Sequence, residues 1–481
     1  MTALPGCCIE DEAKRKSFLI AILLSNIIIK LNTTTVMIAL PTYMTIFQVD
    51  ISTVQWVAVG YMLPLSMTMP LSGYFCERYS YRTVFLCGLA GIGLSSLGCS
   101  LSTSFTMLIL FRFLKGIAGG LVIPCSMAMI YRYVQKEYQP AYLGKTVLFQ
   151  SIGLTIGPTL AGFILQYANW HMLFFINVPL VAAALWMSYK NIPCETGNNN
   201  EKFDFIGILE VAFGTGIVLF AFSNVEDWGF GSFSFLGLIV LGLFLIAVFV
   251  RRQFHTAYPL LNFEVLKYKP FVLAILIQCT LSMTQGITGL LAQLYFQTVR
   301  GFTPAATGLF LLIPSLVMIV GNKVTVSLHK VGFLKLLITG GLAIALVGNS
   351  GLAFASAESS IFILLVCFCL RYFGLGVIQM PLTNYGLGAV PKELSGHSSS
   401  MFNWSKQVAQ VVSTNILTVV LSINLTKHYL ANGGYGTPVE GTEIYNMAAT
   451  QAINSDFFYL SVFLFISMVS SLMIKKQKNQ K

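Results

Sequence analysis

Residues 18–40, FLIAILLSNIIIKLNTTTVMIAL, decide how the chain is read. Twenty-three residues carry one charge, Lys30, and a hydrocarbon core of about 30 Å needs about 20 apolar residues in a helix. The run follows Lys14, Arg15 and Lys16, as a secretion signal would. It is too long for the apolar core of such a signal, and no small-residue cleavage site follows, so it reads as a retained membrane helix.

The rest of the chain agrees. Its 481 residues are 56% hydrophobic and 10% charged, whereas a soluble domain is about 25% charged. About fourteen apolar runs satisfy the spanning criterion: 18–40, 53–75, 83–103, 106–131, 144–167, 172–190, 205–224, 233–250, 271–296, 305–326, 333–355, 361–381, 399–424 and 456–474. The expected class is therefore all-α and integral to a membrane.

Lys and Arg concentrate in alternate connections, which orients the chain. With the N-terminus inside, Arg78, Arg82, Arg132, Lys136, Arg251, Arg252 and the tail lysines from Lys475 all face the cytoplasm. Outer loops keep little beyond Arg300 and Lys427, and carry acids such as Asp50, Glu226 and Glu440. Residues 1–17 and 475–481 are then cytoplasmic. This asymmetry accounts for the net charge of +11 without a nucleic-acid partner.

Several chemistries are absent from the sequence. Gly144-Lys145-Thr146 lacks the upstream glycine of a phosphate-binding loop, since Gln139 stands there. The five histidines have no zinc spacing, and the ten cysteines read as small apolar residues rather than a disulfide framework. There is no nucleophile elbow. No cofactor and no enzymatic site are expected; a secondary transporter or channel is.

Internal repetition favours a transporter. Arg112 opens FRFLKGIAGGLVIP, which ends at Pro124, and Arg371 opens LRYFGLGVIQMP, which ends at Pro381. Pro64 and Pro314 make a second such pair, in GYMLPLS and LFLLIPS. Eight runs separate the partners, so six helices (18–190), a two-helix insert (205–250) and six more (271–474) follow. An outward polar loop is expected over 425–455.

On these residues the chain resembles the major facilitator superfamily, and within it the fourteen-helix drug:proton antiporter branch of the EmrB/QacA type. Gly73, Glu77, Arg78 and Arg82 match the family's motif A, with Glu77 for the usual aspartate. Arg112 and Gly116 match motif B, with Lys115 where glutamine is usual. Motif C, the antiporter signature, is matched in GLTIGPTLAGF at Gly153, Gly157, Pro158 and Gly162, and WHMLFFINVP resembles a stretch typical of the branch, with His171 for an arginine. The resemblance implies proton-coupled efflux of small molecules by alternating access, powered by the proton gradient. It also implies a monomer among membrane lipids, in the inner (cytoplasmic) membrane of a cell, and leaves a periplasmic adaptor open.

Physical reasons stand beside the match. Gly153 and Gly157, one turn apart, let helix backbones approach, and Pro158 allows a kink. Glu77 and Arg78 in a tight turn can latch a neighbouring helix end. In the first run the branch carries an aspartate where this chain has Asn32, which cannot titrate. Lys30 lies about 18 Å beyond Phe18 at about 1.5 Å per residue, near mid-bilayer. A charge there costs several kcal/mol unless it meets water or a partner. Asn26, Lys30, Thr33 and Thr34 share a helical face, which suits a polar cavity wall.

With Arg112, Lys115 and Arg371 these residues are the candidates for substrate binding and coupling. A desolvated lysine also releases its proton more readily, which admits Lys30 to proton coupling. Glu210 is the titratable acid this reading finds within a run. Three functions remain open: a broad drug exporter, an exporter of anionic metabolites or acidic antibiotics using the basic residues, and a membrane receptor that transports nothing.

Overall fold

The computed structural model describes residues 9, 11–49, 51–54, 56–193, 204–256, 259–329, 334–356, 358–435 and 442–474. In chain order they form α1 (Glu12–Phe47), α2 (Ile51–Val54), α3 (Trp56–Thr68), α4 (Ser72–Tyr79), α5 (Tyr81–Ser100), α6 (Phe105–Tyr133), α7 (Gln139–Tyr167), α8 (Met172–Phe175), α9 (Asn177–Asn191), α10 (Phe205–Ser223), α11 (Val225–Trp228), α12 (Phe233–Gln253), α13 (Lys269–Gly286), α14 (Thr288–Gln293), α15 (Pro304–His329), α16 (Leu334–Leu352), α17 (Ile361–Leu387), α18 (Ser395–Ala431) and α19 (Glu443–Leu472). No strand occurs among the described residues. A membrane-spanning backbone must satisfy its own polar groups, and helices do so within one segment.

Twelve helical spans among these residues are long and apolar enough to cross a membrane. The runs expected at 53–75 and 144–167 fall on α3–α4 and on α7, which are not among the twelve. Between α3 and α4 the chain tightens into a 3-10 turn, Met69–Leu71, with Pro70 at its start. α1 is longer than its apolar run. It begins at the Asp11 cap, whose carboxylate accepts from the Ala13 amide at 2.9 Å, and reaches Phe47.

The expected loop at 425–455 needs correction. α18 continues to Ala431 and α19 starts at Glu443, capped by the Thr442 hydroxyl, which accepts from the Tyr445 amide at 3.2 Å. Hydropathy reports where lipid could be, and a helix is free to run past it into water. The expected tail, 475–481, lies outside the described residues.

The chain divides into two compact units. The first takes the chain up to Ala221, then Leu236–Phe271 and Leu387–Trp404; the second takes Phe222–Phe235, Val272–Gly386 and the chain from Ser405. Most of the α10–α12 hairpin therefore belongs with the first unit. Asp204 ties the two helices of this hairpin together: its carboxylate accepts from the Gly207 amide at 3.0 Å, from Arg252 at 2.7 Å and from Gln253 at 3.2 Å.

In the first unit α1 packs along α7, and α6 lies between α3 and α5. Glycine makes the α3–α6 approach possible: a Cβ at Gly116 would stand 2.6 Å from Pro64 Cγ and against the Tyr61 carbonyl. In the second unit α16 packs along α19, around a core in which the Phe296 and Phe310 rings lie 4.3 Å apart.

Candidate functional site

The seam between α1 and α7 is built on the motif C glycines. A Cβ at Gly153 would stand 3.0 Å from Lys30 Cβ and 3.2 Å from the Ile27 carbonyl, and one at Gly157 would overlap the Thr34 hydroxyl. Small residues of this kind let membrane helices meet backbone to backbone. At Gly162 none of the described residues lies within 4 Å of such a Cβ. The Pro158 side chain is not among those described.

The polar stretch of α1 is therefore pressed against α7. Gln150 donates to Asn26 Oδ1 at 2.7 Å, and Asn26 donates onward to the Ile22 carbonyl at 2.9 Å. Thr33 and Thr34 return their hydroxyls to the carbonyls of Ile29 and Lys30, each at 3.1 Å. Lys30 is partly buried. Asn32 is buried; its Nδ2 donates to the Ile28 carbonyl at 2.8 Å and its Oδ1 has no partner among the described residues.

Behind α1 lie two buried cations. Arg112 is 1% exposed; its Nε donates to the Val57 carbonyl at 2.8 Å and its Nη1 to the Asn32 carbonyl at 3.3 Å. Its guanidinium sits 4.7 Å from the centre of the Tyr61 ring. Lys115, one turn on, is wholly buried, its Nζ without a hydrogen-bond partner among the described residues and 5.3 Å from the Phe174 ring centre. Carbonyl dipoles and ring faces stabilise these charges in place of carboxylates. The arrangement can attract an anion or hold a polar cavity open.

Motif A meets the start of α18. The Gly73 amide donates to Ser400 Oγ at 2.8 Å, and a Cβ on Gly73 would stand 2.6 Å from the Gly396 carbonyl carbon. Only glycine permits that approach. Glu77 Oε2 lies 3.0 Å from His397 Nε2, and His397 Nδ1 lies 3.1 Å from the Leu260 carbonyl. Both ring nitrogens thus face oxygen acceptors. A neutral imidazole carries one N–H and an imidazolium two. Ser399 adds a bond to the Pro124 carbonyl at 2.7 Å, which ties α18 to the proline of α6.

Arg82 donates to the Tyr189 carbonyl at 2.6 Å, and Arg78 to Tyr74 Oη at 3.2 Å, so the basic residues of the motif hold neighbouring segments. A double-mutant cycle is the measure of the Glu77–His397 contact. Glu77→Ala and His397→Ala are each expected to slow transport, and the double variant to be no slower than either, a coupling of about 1 kcal/mol or more. Strictly additive losses would show that the pair does not act together.

In the second unit Arg371, 1% exposed, anchors the counterpart network. It donates to Asn349 Oδ1, to the Thr284 carbonyl at 2.6 Å and to Thr288 Oγ1 at 2.7 Å. Asn349 passes the chain of bonds to α19, donating to the Phe457 carbonyl and to Ser461 Oγ, each at 2.8 Å. The repeat read at Arg112 and Arg371 thus places a buried guanidinium on carbonyl and amide oxygens in each unit.

Glu210 belongs to an ion-pair cluster of its own. It lies 3.6 Å from Arg252 in the α10–α12 hairpin, beside Asp204. His171, read only as a departure from the family pattern, reaches the Ser102 carbonyl at 3.2 Å beyond the end of α5.

Residues that the sequence reading missed include Tyr61, Asn349, His397 and Asp456. His397 had a signal, since Ser395-Gly396-His397 opens a helix beside a charged turn. Asp456 had less. It begins the run 456–474 by hydropathy, which placed it at a span boundary, whereas α19 starts thirteen residues earlier and buries it completely.

The sequence pattern of the Major Facilitator Superfamily matches residues 22–414. The chain is 25% identical over 440 residues to the lincomycin resistance protein LmrB of Listeria monocytogenes, covering 92% of each chain. It is 26% identical over 411 residues to the tetracenomycin C resistance and export protein of Streptomyces glaucescens, covering 84% of this chain and 75% of that one. In fold it is similar to the human organic anion transporter MFSD10 (TETRAN), with a TM-score of 0.65 at 13% identity over 96% of this chain and 100% of that one. The match spans most of the chain and its helical architecture agrees, so the protein belongs to the Major Facilitator Superfamily and is a multi-pass membrane transporter of small molecules, not an enzyme.

Proposed function

We propose that this transporter exports amphipathic, drug-like molecules in exchange for protons, by alternating access, in the manner of the EmrB/QacA branch with fourteen spans. The observation that carries this reading is the α1–α7 seam, where the antiporter-motif glycines Gly153 and Gly157 press on Lys30 and Thr34. A backbone contact this close has few arrangements open to it, and bistable packing is what a rocking transporter needs. The similarity to a lincomycin resistance protein and to a tetracenomycin C resistance and export protein supports the direction and the kind of cargo. The protein works as a monomer without a resident cofactor, in the cytoplasmic membrane with both termini inside, and draws its energy from the proton gradient.

A second reading concerns charge. Arg112 and Lys115 are buried and neither meets a carboxylate among the described residues. That favours a cargo bearing an acid group. Flux in proteoliposomes of purified protein under an imposed pH gradient tests both, with ethidium against fluorescent carboxylates, in wild type and Lys30→Ala. The drug-exporter reading expects ethidium to move at comparable rates in both proteins. If only carboxylates move and Lys30→Ala slows them tenfold or more, the cargo is anionic and Lys30 recognises it. Flux of neither ethidium nor the carboxylates contradicts both readings of the cargo.

A further inference from the structure

Two carboxylates among the described residues are buried, Asp204 and Asp456. Asp204 is engaged by Arg252. Asp456 is 0% exposed, and neither of its oxygens has a hydrogen-bond partner among the described residues. It stands near the middle of α19, about 20 Å from Glu443 and about 24 Å from Leu472 at the helical rise per residue. An ionisable side chain buried within a helix that crosses a membrane is costly and marks an ion or proton pathway.

Its surroundings separate it from a packing accident. Ala452, Ile453 and Leu460, on the same stretch of helix, are buried and apolar, so the ionised carboxyl has no local donor. α16 and the π-helical turn Leu294–Val299 pack against α19. The next residue, Phe457, gives its carbonyl to Asn349, which in turn accepts from Arg371. A fixed cation therefore lies behind one amide side chain.

Other titratable groups on the packed elements are occupied. Tyr295 donates to the Ser356 carbonyl at 2.6 Å, and Lys335 to the Leu472 carbonyl at 2.7 Å, at the far end of α19. Eleven and fifteen residues beyond Asp456, close to whole turns, Ser467 pairs with Thr280 at 2.7 Å and Ser471 with Thr339 at 2.9 Å. Two hydroxyl pairs thus lie toward the C-terminal end of the helix, with Leu460 and Leu464 buried between them and the acid.

We propose that Asp456 is the proton-binding site of this transporter, its carboxylate taking up one proton to become the neutral acid and releasing it during each cycle. The proposal rests on the proton-driven reading above. Sequence motifs do not mark it, and burial and the orphaned oxygens do.

The test uses two readouts on the purified full chain. In proteoliposomes, Asp456→Asn is expected to lose at least tenfold of the pH-gradient-driven flux of ethidium while keeping ethidium counterflow without a gradient. In nanodiscs, infrared difference spectra between acid and alkaline pH are expected to show a carboxylic C=O band in wild type that is absent from Asp456→Asn. A band unchanged in Asp456→Asn overturns the site, whatever is transported. Gradient-driven flux unchanged in Asp456→Asn also overturns it, and leaves proton coupling standing. A wild type indifferent to the gradient instead removes the proton-driven reading, and the infrared band still decides whether Asp456 titrates. If Asp456→Asn does not fold, Asp456→Glu is expected to move the band and its midpoint pH, and an unmoved band overturns the site.

Discussion

Arg371→Leu is expected to abolish transport and to lower thermal stability in detergent more than any other single change in the second unit. The guanidinium holds three acceptors on three other helices: Asn349 on α16, the Thr284 carbonyl on α13 and Thr288 on α14. Leucine fills much of the volume but donates to none of them. Removing one partner from a buried charged network costs about 3–5 kcal/mol, and Asn349 would also lose the bond that orients it toward α19. Arg371→Lys keeps the charge without the planar fork and is expected to recover stability in part and transport barely. Thermal midpoints and proteoliposome flux read the two effects. A stable, active Arg371→Leu protein would show that the network is ornamental to the fold.

Gly157→Val is the second large effect. Two branched methyls would enter the space of the Thr34 hydroxyl and lie close to the Thr35 backbone, where α1 and α7 run in contact. Overpacking in a core costs about 1–3 kcal/mol, and here the obstacle is another helix rather than the end of a flexible side chain. The helices must separate, and a seam held apart cannot close. Transport is expected to vanish while the protein still inserts. Gly162→Val serves as the control, because nothing stands near that position, and it is expected to transport normally. Equal loss in the two variants would detach motif C from the α1–α7 contact.

The comparison between Gly157 and Gly162 also shows what could be read from the letters. Helix positions and the motif glycines follow from hydropathy and spacing, because lipid imposes a length and close approach imposes a small residue. Which neighbour each glycine meets does not follow, and Gly153, Gly157 and Gly162 differ in that respect. Lys30 was legible as an oddity from its depth alone. Its contact with α7 depends on the rotation of two helices that no local pattern specifies.

Asp456 illustrates the opposite failure. A hydropathy window ends at the first acid, so an acid inside a longer helix is read as a boundary. The upstream AATQAIN is polar enough to look like a loop, yet it is helical and its alanines are buried. The same reasoning misjudged the 425–455 connection. Glu210 was noticed for lying inside a run, but its meaning came from Arg252, forty-two residues away in sequence and 3.6 Å away in space.

The measurement that tests the account most directly is proton movement itself. Proteoliposomes carrying a pH-sensitive dye, acidic inside and free of other transporters, are given ethidium outside. The account predicts alkalinisation of the lumen when ethidium is added, with protons leaving as ethidium enters, and abolition of gradient-driven uptake by a protonophore. Ethidium uptake with no change in lumenal pH, equally fast with the protonophore present, would contradict proton-coupled exchange and leave a transporter driven by some other gradient.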